Sequence, residues 1–421
     1  WQQNAPVFKM SLKSIKITNF QFTVLFFFLF LWLYARVGQY DIHSFMQTHH
    51  LFNYEHEFLK RALVGEILRL SFENLDANII FNLSLLFLIF LSIVFFKIFF
   101  INFNKDNNIN KLIFSIMVFV SPLTLQHFIF DIGRFEIINI FITLLSFLII
   151  KKFHKNTFLT VIFIFPLLNC MLLIHEGSLF MFIPMIFGFW FFKNSEIKTF
   201  LVQLFLFLII IFITYKISTL GVSTKYTFKE YYNLLLNQHL LFNEVSDHNS
   251  FLRINLAAVE VLYRDLFNTY DPNVKYAIFE DTIRLGFRFK SLVDNLILIF
   301  LLSPTLFIVF TIYRSFFKIS NFKVKLILIT PLATLALFVL GYDHMRWWAI
   351  MFTNIFFILF KLCEEKNLYL EIILTNIQKY KILYIFSIFA SFILGPVKVM
   401  HTFDIIEGLN IYQELVYENI N

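Results

Sequence analysis

The sequence is short of charge, glycine, proline and cysteine for its length. Of 421 residues, 15% are charged and 59% are hydrophobic, and there are 10 glycines, 8 prolines and 2 cysteines. So apolar a mixture excludes a water-soluble domain of this size. Cys170 and Cys363 lie in or beside different apolar segments, which argues against a disulfide framework or a metal cluster. No glycine-rich phosphate loop, nucleophile elbow or zinc motif is present either, so the sequence predicts no cofactor.

Long apolar runs fill most of the chain. A helix needs roughly 20 mostly apolar residues to cross the hydrocarbon of a bilayer. Eleven runs approach that length, at 18–37, 77–99, 112–130, 137–150, 157–174, 179–192, 199–217, 292–313, 326–341, 347–362 and 382–397. We therefore predict an all-α, polytopic integral membrane protein in which residues 10–421 form one transmembrane helical domain.

Lysine is concentrated in every second connection between the predicted spans. Cationic connections resist translocation and stay in the cytoplasm. This alternation predicts a cytoplasmic N-terminus and an extracytoplasmic C-terminus. The abundance of Phe, Ile, Asn and Lys is typical of an AT-rich bacterial genome, so we expect the bacterial inner membrane. The same bias explains the net charge of +7 without a nucleic-acid partner.

Arginine has the opposite distribution. Of ten arginines, only Arg314 falls in a connection predicted to be cytoplasmic. The planar guanidinium matches phosphate and carboxylate oxygens with two parallel hydrogen bonds, whereas the lysine ammonium is a solvated point charge. The outside arginines therefore indicate an anionic ligand. Simple solvation is the alternative for those in loops.

Two of the predicted outside connections are large. The first, 38–78, has apolar and basic side chains at helical spacing, which predicts an amphipathic helix in the membrane interface. Its apolar face consists of Leu59, Ala62, Leu63, Ile67 and Leu70, and its basic face of Lys60, Arg61 and Arg69. The second, 218–291, has helical patterns over 229–242 and 251–267, which predict a small helical cap.

Ionisable residues at the edges of the spans are the candidates for chemistry, because a charge near the bilayer centre costs on the order of 3 kcal/mol. FDIGRFE places Asp131 and Arg134 three residues apart, so they can pair on one helical face. A purely local salt bridge is the alternative. GYDHMRWW carries Asp343 and Arg346 just before a predicted helix, where an arginine can meet a lipid-linked phosphate.

The motif IHEGS places His175 and Glu176 at the end of an apolar helix. Nothing nearby in the chain neutralises Glu176, and desolvation raises the pKa of a carboxylate, so we predict a general base here. The alternative is a helix-terminal pair that faces water.

The first outside connection adds Asp41, Lys60 and Arg61 to a group of histidines. No two of these histidines have the i, i+4 spacing of a helical zinc pair, so we predict no metal site.

The combination of eleven spans, an outside array of Arg, Asp, Glu and His, and a large late outside loop resembles the O-antigen and capsular polysaccharide polymerases of bacterial envelopes. The resemblance covers the whole chain in architecture only, and no family residue is carried over. It implies transfer of a growing glycan from undecaprenyl diphosphate to a new lipid-linked repeat unit. The partners it implies are the polyprenyl-linked glycan, membrane lipids and a chain-length regulator.

The stretch GQYDIHSF resembles the C-type glycosyltransferase superfamily, in which an acidic residue after the first span commonly serves as base. That residue is Asp41 here. The late position of the large loop departs from that family, as does the expected lack of a soluble C-terminal domain.

Either reaction needs a carboxylate to deprotonate the acceptor hydroxyl and cations to hold the phosphate leaving group. We predict Glu176 or Asp41 for the first role. Further catalytic candidates are His175, Asp131 and Asp343. The predicted phosphate-binding residues are Arg134, Arg346, Arg61 and Lys60.

Two other classes of function stay open. A flippase or transporter of lipid-linked oligosaccharides would use similar charges, but should show paired halves with Gly or Pro breaks at matching positions. The sequence has no internal repeat. A noncatalytic accessory membrane protein is the second alternative.

Overall fold

The computed structural model describes residues 19–38, 42–72, 75–103, 108–240, 259, 262, 293–319, 321–340 and 343–397. Within these ranges the chain is helical and has no β-strand. The first helices are α1 (Asn19–Val37), α2 (Ser44–His49), α3 (Leu63–Ser71), α4 (Ala77–Phe95), α5 (Ile109–Val120), α6 (Leu125–Phe130), α7 (Glu136–Phe153), α8 (Thr157–Ile174), α9 (Ser178–Met181), α10 (Ile183–Lys193), α11 (Ile197–Leu220) and α12 (Phe228–Leu240). The later helices are α13 (Val293–Leu301), α14 (Ser303–Ile319), α15 (Phe322–Ile329), α16 (Leu337–Leu340), α17 (His344–Glu365), α18 (Asn367–Lys379) and α19 (Lys381–Leu394).

Six helical segments of the described chain are long and apolar enough to cross a membrane. They are Phe20–Val37, Ala77–Phe100, Ile109–Phe130, Thr157–Ile174, Ile197–Leu220 and His344–Glu365. The count rises to 8 if two sharply bent pairs each form one span, α13 with α14 at 75° and α18 with α19 at 83°. The chain is therefore a membrane-embedded, all-helical protein.

Of the remaining predicted spans, 137–150 lies within the unbroken 18-residue helix α7, which is not among the six segments, and the other two are broken. The run 179–192 is interrupted at Phe182, two residues before Pro184. The run 326–341 divides into α15, a 3-10 turn over Thr330–Ala336 that contains Pro331, and α16. Proline removes a backbone donor and clashes with the preceding turn, so each proline falls where a straight helix stops. The two broken segments pack against each other.

The helices α5, α6 and α17 form the centre of the bundle, and most of their side chains are buried. The Phe114 ring lies 5.4 Å from the Phe360 ring and 6.1 Å from the Phe356 ring. Around this centre, α1, α4, α8 and α11 keep large apolar side chains exposed, as expected for helices that contact lipid. The first residues of α17 therefore lie in the core of the molecule.

The amphipathic helix predicted in the first connection is confirmed, but it begins only at Leu63. Ile67 and Leu70 are 54% and 71% exposed, which suits an interfacial helix. Lys60 and Arg61 precede the helix and are not on its polar face. Arg61 has a φ of +61°, a left-handed conformation that a helix cannot include. The prediction for these two basic residues is therefore wrong.

The second large connection is described only in part. Its first helical pattern is confirmed by α12 (Phe228–Leu240). The pattern over 251–267 lies outside the described residues apart from Val259 and Leu262. The start of this second connection is hydrogen-bonded to the first connection. The backbone N–H of Lys60 donates to the Gly221 carbonyl at 3.0 Å.

A carboxylate strengthens this junction. The Ser223 hydroxyl and the backbone N–H groups of Thr224 and Lys225 all donate to Glu57, the backbone groups at 3.2 and 3.3 Å. Glu57 lies in an irregular segment and not on a helix. Its oxygens bind the neighbouring connection and fix the segment that carries Arg61.

A Gly65→Ala substitution tests the packing of this segment. A Cβ atom at Gly65 would lie 2.0 Å from the Phe52 carbonyl oxygen and 2.7 Å from that of His50. Alanine normally stabilises a helix relative to glycine. Here we expect the free energy of unfolding to fall by about 1–3 kcal/mol, because the backbone at His50 and Phe52 must move. The measurement is the unfolding temperature of the purified protein in detergent. Ser71→Ala on the exposed end of α3 is the control, and a Gly65→Ala protein as stable as that control contradicts the packing.

Candidate functional site

One end of the bundle gathers a cluster of charged side chains from four separate connections. The segment after α1 supplies Lys60 and Arg61, and the turn between α6 and α7 supplies Asp131 and Arg134 with Glu136 at the start of α7. The turn between α8 and α9 supplies His175 and Glu176, and the start of α17 supplies Asp343 and Arg346. The contacts among them define what we call the charged cluster, which consists of these nine residues.

The strongest contact in the charged cluster joins Arg61 to Glu176 across 115 residues of sequence. Arg61 Nε lies 2.9 Å from one Glu176 oxygen, and Arg61 Nη2 lies 2.5 Å from the other. This is a two-pronged guanidinium–carboxylate pair. Glu176 is only 2% exposed, so the pair holds an ion that water does not reach.

The pKa of the Glu176 carboxylate differs from the pKa that the sequence predicts. Burial alone would raise that pKa, as predicted, but the nearby Arg61 charge and its hydrogen bonds outweigh burial and hold the pKa of Glu176 well below its usual value. No residue nearby in the chain neutralises Glu176, but Arg61 from a distant connection does, so the predicted raised pKa of Glu176 is wrong. A carboxylate held in this way is a poor general base.

A second set of ion pairs runs along the neighbouring connections. Arg134 Nε lies 2.6 Å from Asp131, which confirms the predicted local pair. Arg134 Nη1 also lies 3.9 Å from Asp343, so the pair is not purely local. Asp343 in turn contacts Arg346 at 2.9 Å, and Arg346 Nε lies 3.4 Å from Glu136.

These two sets lie close enough to act on each other electrostatically. Glu136 raises the pKa of Arg61, and Arg61 and Arg346 both oppose protonation of His175. The predicted residues of the outside connections therefore belong to one site rather than to scattered surface pairs. Asp41 lies outside the described residues, so its predicted role stays a prediction.

Three buried histidines are neutral, His175 within the charged cluster and His49 and His50 beside it. Burial, together with the charge of Arg61, lowers the pKa of His175 to about 3. Burial also lowers the pKa of His50 to about 4, and burial with the Arg61 and Arg134 charges lowers that of His49 well below its usual value. Adding a proton to any of them would place another cation beside the arginines.

Several polar atoms of this region are buried without a hydrogen-bond partner among the described residues. They are His49 Nε2, His175 Nε2, Glu136 Oε1, Asp343 Oδ1 and Arg346 Nε. Native proteins satisfy nearly all of their buried polar atoms, so such a concentration is unusual. It marks the charged cluster as a place where a polar ligand gains contacts that the protein alone does not make.

Two asparagines beneath the charged cluster are residues that the sequence analysis missed. Asn139 donates to the Ser178 hydroxyl at 2.8 Å, and Asn354 donates to the Met181 carbonyl at 2.6 Å. They hold both ends of α9, directly after Glu176. A signal existed, because each amide lies in an apolar helix on the same face as a charged residue of the cluster, Glu136 or Arg346.

No group of three or more His, Cys, Asp or Glu side chains in the described part of the chain is arranged to hold a metal ion. The carboxylates of the charged cluster are instead engaged by guanidinium groups. The absence of a metal site stays a prediction for the complete chain.

Comparison with protein-family models, with curated proteins and with solved structures finds no match for this chain. The resemblance in architecture to polysaccharide polymerases and to C-type glycosyltransferases is therefore not tested by any relative. The functional argument depends on the geometry of the charged cluster.

A double-mutant cycle tests the buried pair. Arg61→Met leaves the Glu176 carboxylate buried without its partner, so we expect a loss of about 3–5 kcal/mol in the free energy of unfolding. Arg61→Met combined with Glu176→Leu should be more stable than Arg61→Met alone, because no ion is then left uncompensated. Stability is measured by denaturant titration in detergent micelles.

Arg69→Met provides the matched control for this cycle, because Arg69 pairs with Glu66 at the exposed surface. Such surface pairs contribute little, so we expect almost no change. Equal losses in Arg61→Met and in the double variant would contradict the assigned pairing.

The neutral histidines predict a loss of stability in acid. His175 and His50 have folded-state pKa values of about 3 and about 4, against 6.5 for an unconstrained histidine. The unfolded state therefore binds more protons below pH 6.5, so this stability is complete above that pH and falls as the pH drops. We expect each of these two histidines to lower the free energy of unfolding by about 2 kcal/mol near pH 5.

The measurement is the unfolding temperature between about pH 7.5 and 5. His50→Gln should flatten the dependence, whereas His154→Gln, at the other end of the bundle, should leave it unchanged. Glu176 does not contribute in this window, because its lowered pKa keeps it ionised. A stability that stays constant down to pH 5 rules out the neutral-histidine assignment.

Proposed function

We propose that this protein is a membrane glycosyltransferase that transfers a lipid-linked glycan to a sugar acceptor on the extracytoplasmic face of a bacterial inner membrane. In the version we favour, it is a repeat-unit polymerase of O-antigen or capsule assembly that uses an undecaprenyl diphosphate donor. The observation that supports this most is the buried convergence of three arginines with four carboxylates at one end of the bundle.

The free-energy cost of the charged cluster supports a functional role. Moving an ion from water into a protein interior costs several kcal/mol even after relaxation, and well-packed apolar residues usually stabilise a fold at least as well. Ionisable residues retained at membrane depth are functional by default. The unpartnered polar atoms beside these ions favour ligand binding over a purely structural network.

The two classes of arginine contact suggest different roles. Arg61 directs its Nε and Nη2 at Glu176, so we assign this pair to positioning. Arg134 contacts Asp131 and Asp343, and Arg346 contacts Glu136 and Asp343, each time through one nitrogen and not through a two-pronged pair. A guanidinium has five donors, so these two can grip phosphate oxygens.

Asp343 is the best-placed base in this proposal. Its side chain is 23% exposed, against 2% for Glu136 and 9% for Asp131, and its Oδ1 has no partner among the described residues. The acceptor hydroxyl oxygen attacks the anomeric carbon while its proton passes to Asp343. The bond from that carbon to the phosphate oxygen breaks, and its electron pair leaves with the lipid diphosphate, which Arg134 and Arg346 stabilise.

A small pocket lies beside Arg134. It is enclosed by α3, α4 and α7, and its polar lining residues are His50, Ser84 and Arg134. Its other walls are apolar and include Leu68, Leu83 and Phe87. The α4 helix also presents Leu86 and Phe90 at the surface, so the pocket lies next to the lipid-facing side of the bundle.

The orientation also belongs to the proposal. Lys193 pairs with Glu365 where α10 and α17 end, at the opposite end of the bundle from the charged cluster. A lysine-rich cytoplasmic end is expected from the positive-inside rule. In the proposed orientation the N-terminus is inside and the arginine-rich cluster is outside. The chain then crosses the membrane eleven times if the short and broken segments also span it. A chain-length regulator is the partner expected in polymer assembly.

Two alternatives are retained. A C-type glycosyltransferase would use the same cluster with a polyprenyl-phosphate sugar and Asp41 as the base. A flippase of lipid-linked oligosaccharides is favoured by one observation, the packing of two proline-broken segments, 178–193 and 330–340, against each other. Broken helices at membrane depth often border transport sites.

Gene deletion and complementation test these functions. Loss of a polymerase leaves a single repeat unit on the lipopolysaccharide core, loss of a flippase or of an earlier transferase leaves none, and an unchanged ladder rejects all three. We expect single repeat units. Complementation with Asp343→Asn should fail, because removing a general base lowers rates about 100-fold or more.

Arg134→Lys and Arg346→Lys should also fail, since lysine keeps the charge but not the fork of donors. Arg69→Lys on the exposed face of α3 is the control and should restore a full ladder. Expression of each variant is checked by immunoblot of membranes. Full complementation by all three cluster variants would reject the assigned site.

A further inference from the structure

His175 is held in one orientation by its own turn. The residue follows the last turn of α8, and the backbone N–H of Gly177 donates to His175 Nδ1 at 3.0 Å. The ring is 7% exposed. Its other nitrogen, Nε2, is buried without a hydrogen-bond partner among the described residues.

The Gly177 contact fixes which ring nitrogen carries the proton. A backbone N–H can only donate, so Nδ1 must use its lone pair to accept. In a neutral imidazole the proton then resides on Nε2. The 3.9 Å distance between Nδ1 and a Glu176 oxygen is consequently not a salt bridge, because that nitrogen has no proton to offer.

Burial keeps the His175 ring neutral among charged neighbours. Arg61 and Arg346 oppose its protonation, Glu176 and Glu136 favour it, and burial decides the balance against the charged form. His49 is the other titratable neighbour, and it is itself neutral. His175 therefore offers one fixed N–H donor among guanidinium groups.

We propose that His175 is a catalytic residue that donates its Nε2–H to a phosphate oxygen of the lipid-linked donor, beside Arg61 and Arg346. This inference rests on the proposed function and deepens it. It gives the predicted catalytic candidate His175 the role of a donor and not of a proton acceptor, since Nε2 carries a proton and the Nδ1 lone pair is already used. No covalent bond forms at His175, and its proton stays on the ring.

A neutral donor has a particular value at this place. The charged cluster holds Arg61, Arg134, Arg346 and Lys60 against four carboxylates, so its formal charges balance. A neutral N–H adds a hydrogen bond to developing negative charge without disturbing that balance. The donor also costs no reorganisation, because Gly177 has already oriented the ring.

Two substitutions at His175 separate this role from the alternatives. The far amide nitrogen of His175→Gln can replace the Nε2–H, whereas the shorter side chain of His175→Asn can accept from Gly177 but cannot reach as far. We expect Gln to retain activity within about tenfold and Asn to lose about 100-fold. Neither amide can serve as a base, so a loss in both variants would overturn the donor role. His154→Asn, at the opposite end of the bundle, is the control.

A spectroscopic measurement tests the same assignment without any enzymatic assay. Protein labelled with ¹⁵N-histidine is reconstituted in nanodiscs, and the His175 signals are assigned by their loss in His175→Gln. We expect a protonated Nε2 and an unprotonated Nδ1, unchanged between about pH 8 and 5. Inorganic pyrophosphate should shift the Nε2 signal in the wild type. A protonated Nδ1, a titration in this range or an Nε2 indifferent to pyrophosphate would each overturn the inference.

Gly177→Ala gives an independent check. A Cβ atom there would lie 2.9 Å from His175 Cε1 and 3.0 Å from Nδ1, so the ring must turn. We expect the variant to fold, to shift both ring-nitrogen signals and to lose activity as His175→Asn does. An unchanged glycan ladder on gene deletion would instead reject the proposed function, while the pyrophosphate response would still decide whether Nε2 is an anion donor.

Discussion

The buried ion pair between Arg61 and Glu176 is the contact on which the site depends. It joins the connection after α1 to the turn between α8 and α9, and neither carboxylate nor guanidinium can be left alone at that depth without a large cost. Arg61 reaches Glu176 from a left-handed backbone, a conformation that costs of order 1–3 kcal/mol in a non-glycine residue. The fold accepts this strain because the residues just before Arg61 are fixed, Glu57 by its hydrogen bonds to the second connection and Lys60 by its hydrogen bond to Gly221.

The surrounding bundle explains why these connections meet. The α17 helix is buried along most of its length, so Arg346 at its start projects into the interior and not into lipid. The short α9 helix is held at both ends by Asn139 and Asn354, which fixes the turn that carries His175 and Glu176. The breaks in the neighbouring helices leave irregular backbone inside the bundle, where protein and not lipid covers it.

Local features of the site were predictable from sequence, and distant ones were not. The pairs Asp131 with Arg134 and Asp343 with Arg346 follow from i, i+3 spacing, and both are present. The pairing of Arg61 with Glu176 spans 115 residues, and no periodicity encodes it. For the same reason helical spacing predicts Lys60 and Arg61 on a polar surface, whereas Lys60 is buried and the Arg61 side chain is only 15% exposed. Hydropathy likewise located the apolar runs but not the bends that divide them.

The balance of charge in the cluster limits what it can bind. An additional dianion would meet four carboxylates as well as four cations, so net attraction cannot supply its affinity. Selectivity must come from directed groups that the protein leaves unsatisfied, and His175 Nε2 is such a donor. Asp343 Oδ1 has no hydrogen-bond partner as an acceptor among the described residues, whereas Glu136 Oε1 already faces Arg346 Nε at 3.4 Å. A ligand that satisfies both His175 Nε2 and Asp343 Oδ1 must present an acceptor and a hydroxyl donor, and the glycan joined to a phosphate in the proposed function has that combination.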